Sequence, residues 1–271
     1  MEMEEFRTVD PVRTPAGYVG GKKQLARRLI ADIERTPHRL YAEPFVGMGG
    51  VFLRRRLAPP VEAINDASQD VACLFRILQR HYQAFMDMLK WQVTSRAEFE
   101  RLLAMEPASL TDLERAARFL YLQRLSFGGK VVGRTFGIDT NGPARFDVTK
   151  LTGLLEAVHE RLAGVWIECL PWEAFLARWD RPKTLFFVDP PYVGTEHYYG
   201  RALFSPADHE RLAAALKALQ GRFILTLNDH PKVRELYGWA EIRTEDLSYT
   251  AAGGQNIRPA RELVITGGRG L

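Results

Sequence analysis

Leu40-Tyr41-Ala42-Glu43-Pro44-Phe45-Val46-Gly47-Met48-Gly49-Gly50-Val51-Phe52-Leu53 reads in three parts. A short apolar run has the composition of a buried strand. A glycine-rich loop follows, and then an apolar run at helical spacing. Strand, glycine loop and helix in that order open a nucleotide-binding α/β unit. About 20 residues further on, the strand-like Val61-Glu62-Ala63-Ile64-Asn65 ends in Asp66, where an acid commonly accepts from ribose hydroxyls. The glycine spacing is not that of dinucleotide enzymes, and the turn carries Glu43-Pro44-Phe45 instead. The expected ligand is therefore adenosyl, without a pyrophosphate to cradle.

Upstream, Tyr18-Val19-Gly20-Gly21-Lys22 precedes a helix predicted from about Lys22 to Arg35, with Leu25, Leu29, Ile30 and Ile33 on one face. Gly20 and Gly21 let backbone N–H groups approach a ligand at a helix start, and Lys22 adds a charge there. Downstream, Leu185-Phe186-Phe187-Val188 reads as a buried strand that stops on Asp189-Pro190-Pro191-Tyr192. Neither proline can donate to a sheet ladder, so the strand ends there. A carboxylate, stiff carbonyls and an aromatic ring are left at the sheet edge, a corner suited to a flat heterocycle with an exocyclic amine.

Between these motifs the pattern turns helical. Thr111 and Glu114 form a capping-box signature before a helix through Leu122. Residues 126–143 then read as a turn-rich β-hairpin carrying Lys130, Arg134 and, just beyond it, Arg145. Between Arg118 and Lys150 there are six basic residues and two acids, an excess equal to the +4 of the whole chain. A local basic patch of this kind is the footprint of nucleic-acid binding. From Val148 the α/β alternation resumes, with strands at Val165–Cys169, Phe223–Leu227 and a last short one at Glu262–Thr266. Ser205-Pro206 opens a helix, and 240–260 reads as a loop. The α/β unit is thus interrupted at 70–148, dividing a catalytic domain (1–69 and 149–271) from a target-recognition domain.

Composition sets bounds on this reading. No apolar run approaches the ~18 residues needed to span a bilayer, and the acidic start lacks the apolar core of a signal peptide. Cys73 and Cys169 make neither a disulfide framework nor a zinc site, and Cys169 reads as a small core residue. The expectation is a cytoplasmic protein with no metal, no membrane and no obligate protein partner.

Together these residues resemble the Dam-type (alpha group) family of DNA adenine-N6 methyltransferases. Three motifs carry the likeness in the family's order: Tyr18–Lys22, Glu43–Gly50 and Asp189–Tyr192. Leu122–Gly129 resembles the segment that precedes the family's recognition hairpin. The resemblance implies a Rossmann-like, mostly parallel seven-stranded sheet that binds S-adenosylmethionine, with a mostly helical recognition insertion for double-stranded DNA. The source would be a bacterium or a phage. By the same resemblance Tyr18, Gly20, Gly21 and Lys22 contact the cofactor. Pro44, Phe45, Gly47 and Gly49 wrap its methionine end, and Asp66 takes its ribose. Asp189 lies between cofactor and target base, with Pro190 and Tyr192 completing the catalytic corner. Arg124, Ser126, Lys130, Arg134, Asn141, Arg145 and Arg258 face DNA. The chain departs from the family at Leu170-Pro171-Trp172, where Gly-Asp-Phe is usual. Trp172 remains to cover the cofactor's adenine, but the acid is missing. Cytosine-N4 transfer, an RNA substrate and a binding protein without activity are the competing readings. A dinucleotide oxidoreductase is disfavoured by the glycine spacing.

Overall fold

The computed structural model describes residues 6–22, 24–138, 142–198, 203–250 and 257–269, with only the backbone described at 248–250 and 257–260. In chain order the elements are β1 (Arg7–Thr8), α1 (Ala26–Arg35), β2 (Leu40–Glu43), β3 (Leu57–Ala58), β4 (Val61–Asn65), α2 (Gln69–Arg80), α3 (Tyr82–Leu89), α4 (Arg96–Ala104) and α5 (Asp112–Leu125). They continue as α6 (Val148–Arg161), β5 (Trp166–Glu168), α7 (Trp172–Trp179), β6 (Thr184–Val188), α8 (Asp208–Ala218), β7 (Arg222–Asn228), α9 (Pro231–Leu236), β8 (Glu241–Thr250) and β9 (Ile257–Gly268).

The seven-stranded sheet runs β5-β4-β2-β6-β7-β9-β8. The first five strands are parallel, and β9 is antiparallel to both its neighbours. From β2 the chain winds outward to β4 and β5, then returns to the other side of β2 for β6 and β7. That reversal makes the space beyond the carboxyl ends of β2 and β6 the switch point, where ligands bind in open α/β sheets. All five residues of β6 are buried, as expected of a strand covered on both faces. Phe187 and Ile224 face one apolar core with α1, α2 and α6; Phe186, Val188 and Leu225 face the other with α7 and α8. Helices α3, α4 and α5 join the first core without a break, through Phe85, Leu89, Phe99 and Phe119. Helix α5 begins on the expected capping box, with Thr111 and Glu114 bonding reciprocally.

Several elements differ from the sequence reading. The helix expected after the glycine loop is only a 3₁₀ turn, Phe52–Arg54. Directly after it Arg55 turns fully inward, paired with Glu62, which Arg161 also grips at 2.8 Å through two nitrogens. Continuing the helix would carry Arg55 away from that buried acid. The loop expected at 240–260 is largely two long strands, β8 and β9. Charged residues on the outermost strand dilute the alternation that marks a half-buried strand. Helix α8 starts at Asp208 rather than Pro206, and the Asp208 carboxylate accepts from both the N–H and the hydroxyl of Ser205. The expected hairpin turns back antiparallel, but its described ladder is one bridge, Ser126–Phe136, flanked by a 3₁₀ turn at Phe127–Gly129. Cys169 is exposed rather than in the core, because β5 is the sheet's outer strand and stops at Glu168.

Candidate active site

At the switch point β2 ends on Glu43 and β6 runs into Asp189. The loop leaving β2 is pinned from β4: Val46 N–H donates to the Asn65 carbonyl at 2.9 Å, and the Asn65 amide donates to the Pro44 carbonyl at 3.0 Å. The same amide donates to the Leu170 carbonyl at 3.1 Å and accepts from Leu170 N–H at 2.8 Å. Asp66 braces the loop, accepting from Gly47 N–H and from Ser68 N–H, both at 2.9 Å. Gly47 takes φ +49°, and a Cβ there would stand 3.1 Å from the Tyr18 ring. Only glycine brings the loop so close to the ring without strain. Behind the loop lies a cavity of about 300 Å³, lined by Tyr18, Lys22, Glu43, Phe45, Asp66 and Asp189 among others.

Of its charged groups Lys22 and Glu43 are buried, and Arg54, Asp66 and Asp189 are half-buried. The Lys22 ammonium lies 2.7 Å from Asp189 Oδ1, donates to the Gly20 carbonyl at 3.0 Å and stands 4.7 Å from the centre of the Tyr192 ring. Thr226 on β7 donates its hydroxyl to the same Oδ1 at 2.7 Å. Burial pushes the Asp189 carboxyl above its ordinary pKa; Lys22 and Thr226 pull against that without cancelling it. Burial also raises Glu43 to about 8, although the Tyr41 hydroxyl donates to it at 2.7 Å. Asp66 rises to about 6, again from burial, against its two backbone donors. Carboxyls with displaced pKa values gathered in one pocket beside a buried lysine are the electrostatic mark of a working site.

A family model, "D12 class N6 adenine-specific DNA methyltransferase", matches residues 18–250. The chain belongs to this family of DNA methyltransferases. It is 25% identical over 267 residues to the type II methyltransferase M1.LlaDCHI of Lactococcus lactis subsp. cremoris, covering 92% of this chain and 93% of that one. It is 22% identical over 222 residues to the type II methyltransferase M.CviBI of Paramecium bursaria Chlorella virus NC1A, covering 81% and 84%. Among solved structures, a putative RNA methyltransferase from Pyrococcus horikoshii overlaps at TM-score 0.43 and 8% identity, over 97% of this chain and 94% of that one, too distant to argue from.

In this D12-class methyltransferase Tyr18, Gly20, Gly21, Lys22, Phe45, Gly47, Asp66 and Asp189 converge on the cavity. Other expected members stand off it. Pro44 gives its carbonyl to Asn65, and Gly49 faces Leu53 and Phe75 at φ +72°. Pro190 is buried, and Tyr192 is half-buried beside Lys22. Trp172 does not line the cavity: it starts α7 and packs into the core with Phe175 and Leu212, its outer face under Arg211. Two residues without an expected role do take part. Glu43 lines the cavity, and its signal was an acid closing a strand just before a glycine loop. Thr226 bonds Asp189, and no local pattern marks it.

A second cleft, of about 610 Å³, shares Thr14, Ala16, Gly17 and Arg54 with the first. Five basic residues line it (Arg13, Arg54, Arg124, Arg145 and Lys150) against one acid, Asp147. The expected DNA residues divide here. Lys130 and Arg145 are exposed. Arg124 is bound inward, to the Pro15 carbonyl at 2.7 Å and the Arg145 carbonyl at 2.8 Å. Ser126 lines this cleft but is buried, with its hydroxyl on the Leu122 carbonyl. Arg134 is half-buried: it donates to Gln123 at 3.0 Å, and Gln123 ties Gly17 to Gly129. Asn141 and the side chain of Arg258 lie outside the described residues. Among the described residues no cluster of His, Cys, Asp and Glu is suited to a metal ion, and no helix is long and apolar enough to cross a membrane.

Proposed function

We propose that this enzyme transfers a methyl group from S-adenosylmethionine to the N6 amine of an adenine flipped out of duplex DNA, at a defined sequence, with Asp189 as the acceptor that orients the amine. One observation carries the reading: at the switch point Asp189 lines the cavity behind the glycine loop, with Lys22 and Thr226 both seated on its Oδ1.

The cavity fits the donor by its chemistry. Carboxyls at Glu43, Asp66 and Asp189 favour a cation, and Tyr18 and Phe45 offer rings to an adenosyl group. Gly47, lacking a Cβ, keeps the loop close to Tyr18. S-adenosylmethionine, when bound, supplies an electrophilic methyl group on a sulfonium. The residues do the rest. The adenine amine is a poor nucleophile because its lone pair is delocalised into the ring. Asp189 Oδ2 and the Pro190 carbonyl accept its two hydrogens and localise that pair. Tyr192 stacks on the base, an interaction worth about 1–3 kcal/mol. Catalysis is then largely orientation, and the proton lost from the product goes to water.

Flipping the base costs a few kcal/mol. Lys130, Arg145, Arg13 and Lys150 offset it through phosphate contacts. Segment 70–148 acts as the recognition part, and the type II relatives suggest a role in restriction–modification. The test is incubation with methyl-labelled S-adenosylmethionine and mixed-sequence duplex DNA, followed by nucleoside analysis. N6-methyladenine is expected from the wild type and none from Asp189→Ala, which should keep its fold and DNA affinity. Near wild-type turnover by that variant refutes the mechanism.

A further inference from the structure

We infer that Thr226 is a positioning residue for methyl transfer: together with Lys22 it occupies one oxygen of Asp189 and thereby reserves the other for the amine of the target base. This rests on the reading of Asp189 given above.

The sheet register makes the contact. Val188 pairs with Leu225 in the parallel β6–β7 ladder, so the next residue of each chain, Asp189 and Thr226, stand side by side. Paired residues on parallel strands project to the same face. Val188 and Leu225 face the α7–α8 core, so Asp189 and Thr226 both turn to the cavity side. Thr226 is fully buried, and its hydroxyl is 2.7 Å from Asp189 Oδ1. The Lys22 ammonium reaches the same atom from the segment before α1, also at 2.7 Å. Two donors at one oxygen, one from β7 and one from the segment before α1, restrain its rotation. Oδ2 has no hydrogen-bond partner among the described residues, and the Asp189 side chain keeps 19% of its surface exposed. A carboxylate free to rotate would offer Lys22 either oxygen, and the substrate amine would compete with a cation. β-branched threonine adds stiffness, since its own χ1 is restricted.

The test compares Thr226→Val, nearly isosteric but without the hydroxyl, with Thr226→Ser. For the valine variant kcat should fall roughly ten- to hundredfold, as expected for losing a hydrogen bond to a charged group. KM for donor and DNA should stay near wild type. The hydroxyl favours the ionised carboxylate, so its loss should also move the acidic limb of the kcat–pH profile to higher pH. The other charged groups facing Asp189, namely Lys22, Glu43 and Glu262, are unchanged in the variant. Serine should restore most of kcat and the limb. Unchanged kcat and pH limb in Thr226→Val overturn the inference. Should valine disturb folding, Thr226→Ser is read against Thr226→Ala: both lose the methyl and only one keeps the hydroxyl. Equal losses in that pair assign the effect to packing and overturn the inference too. Asp189→Asn is the control for the underlying reading. An inactive Asp189→Asn with a fully active Thr226→Val sinks the role of Thr226 alone, whereas an active Asp189→Asn sinks the reading of Asp189 itself.

Discussion

Glu43 holds a proton that an exposed glutamate would have lost, and Glu43→Gln should make that visible as a change in stability with pH. The carboxyl is buried beside Tyr41, whose hydroxyl donates to it, and its pKa is raised from 4.5 to about 8. Below pH 4.5 both folded and unfolded chains carry the proton, and the group is neutral to stability. Between 4.5 and about 8 the unfolded chain ionises and the folded one does not. The folded state then holds the extra proton, and stability falls as pH rises. Above about 8 the loss is complete. At about 1.4 kcal/mol per pH unit across that interval, the whole effect is about 4–5 kcal/mol. That is a large share of a typical domain's 5–15 kcal/mol or so. Glutamine keeps an acceptor for Tyr41 and cannot ionise. Urea denaturation of wild type and variant at pH 5, 6, 7 and 8 should give a difference in unfolding free energy that grows with pH in favour of the variant. Groups common to both cancel. Among them is Glu62, which burial pushes up but Arg55 and Arg161 hold below its ordinary range, so that it loses stability as pH falls. A difference that does not vary with pH refutes the reasoning. The same proton has a functional readout: a cationic donor in the cavity should expel it, so calorimetric binding at pH 7 in buffers of different ionisation enthalpy should report net proton release in wild type and less in Glu43→Gln.

Arg161→Met should destabilise the fold by about 3 kcal/mol, the low end for breaking a buried ion pair, because Arg55 still faces Glu62; a urea midpoint unchanged at constant m refutes it. Lys130→Ala and Arg145→Ala should each lower the slope of log K for DNA against log salt by about 1. Arg134→Ala should instead lower the melting temperature and leave that slope alone, since its guanidinium is spent on Gln123 and the Phe119 ring. Fluorescence anisotropy titrations at several salt concentrations separate the two classes.

The part of the site that was legible in the sequence lies where a motif and a strand end coincide. Pro190 and Pro191 announce the end of β6, and Gly47 and Gly49 announce a turn needing positive φ. The loop after β2 and the corner after β6 both line the cavity, as those motifs led one to expect. What was not legible depends on registers between distant strands or on solvent exposure. Trp172 lies two residues beyond Leu170, whose main chain Asn65 holds, but as the first residue of α7 it is drawn into the core, where a large apolar ring loses most water. Cys169 has apolar neighbours, yet it follows the outer strand, where no further strand covers it. Arg134 and Lys130 look alike in a basic stretch; Gln123 and Phe119 on α5 draw one of them inward.

Thr226 shows the same limit most sharply. In the sequence it is one residue in Phe223-Ile224-Leu225-Thr226-Leu227, and a buried threonine in a strand needs no function. Its meaning comes from two alignments, of β7 beside β6 and of Lys22 across from both. The buried ammonium alone would attract either carboxylate oxygen and would draw Asp189 toward itself. A neutral hydroxyl adds direction without adding charge, so it steadies the carboxylate without competing for the cationic donor. A second cation in its place would hold the carboxylate as firmly but would repel the donor, which is why Thr226→Lys should depress donor affinity as well as kcat, whereas Thr226→Val touches kcat alone.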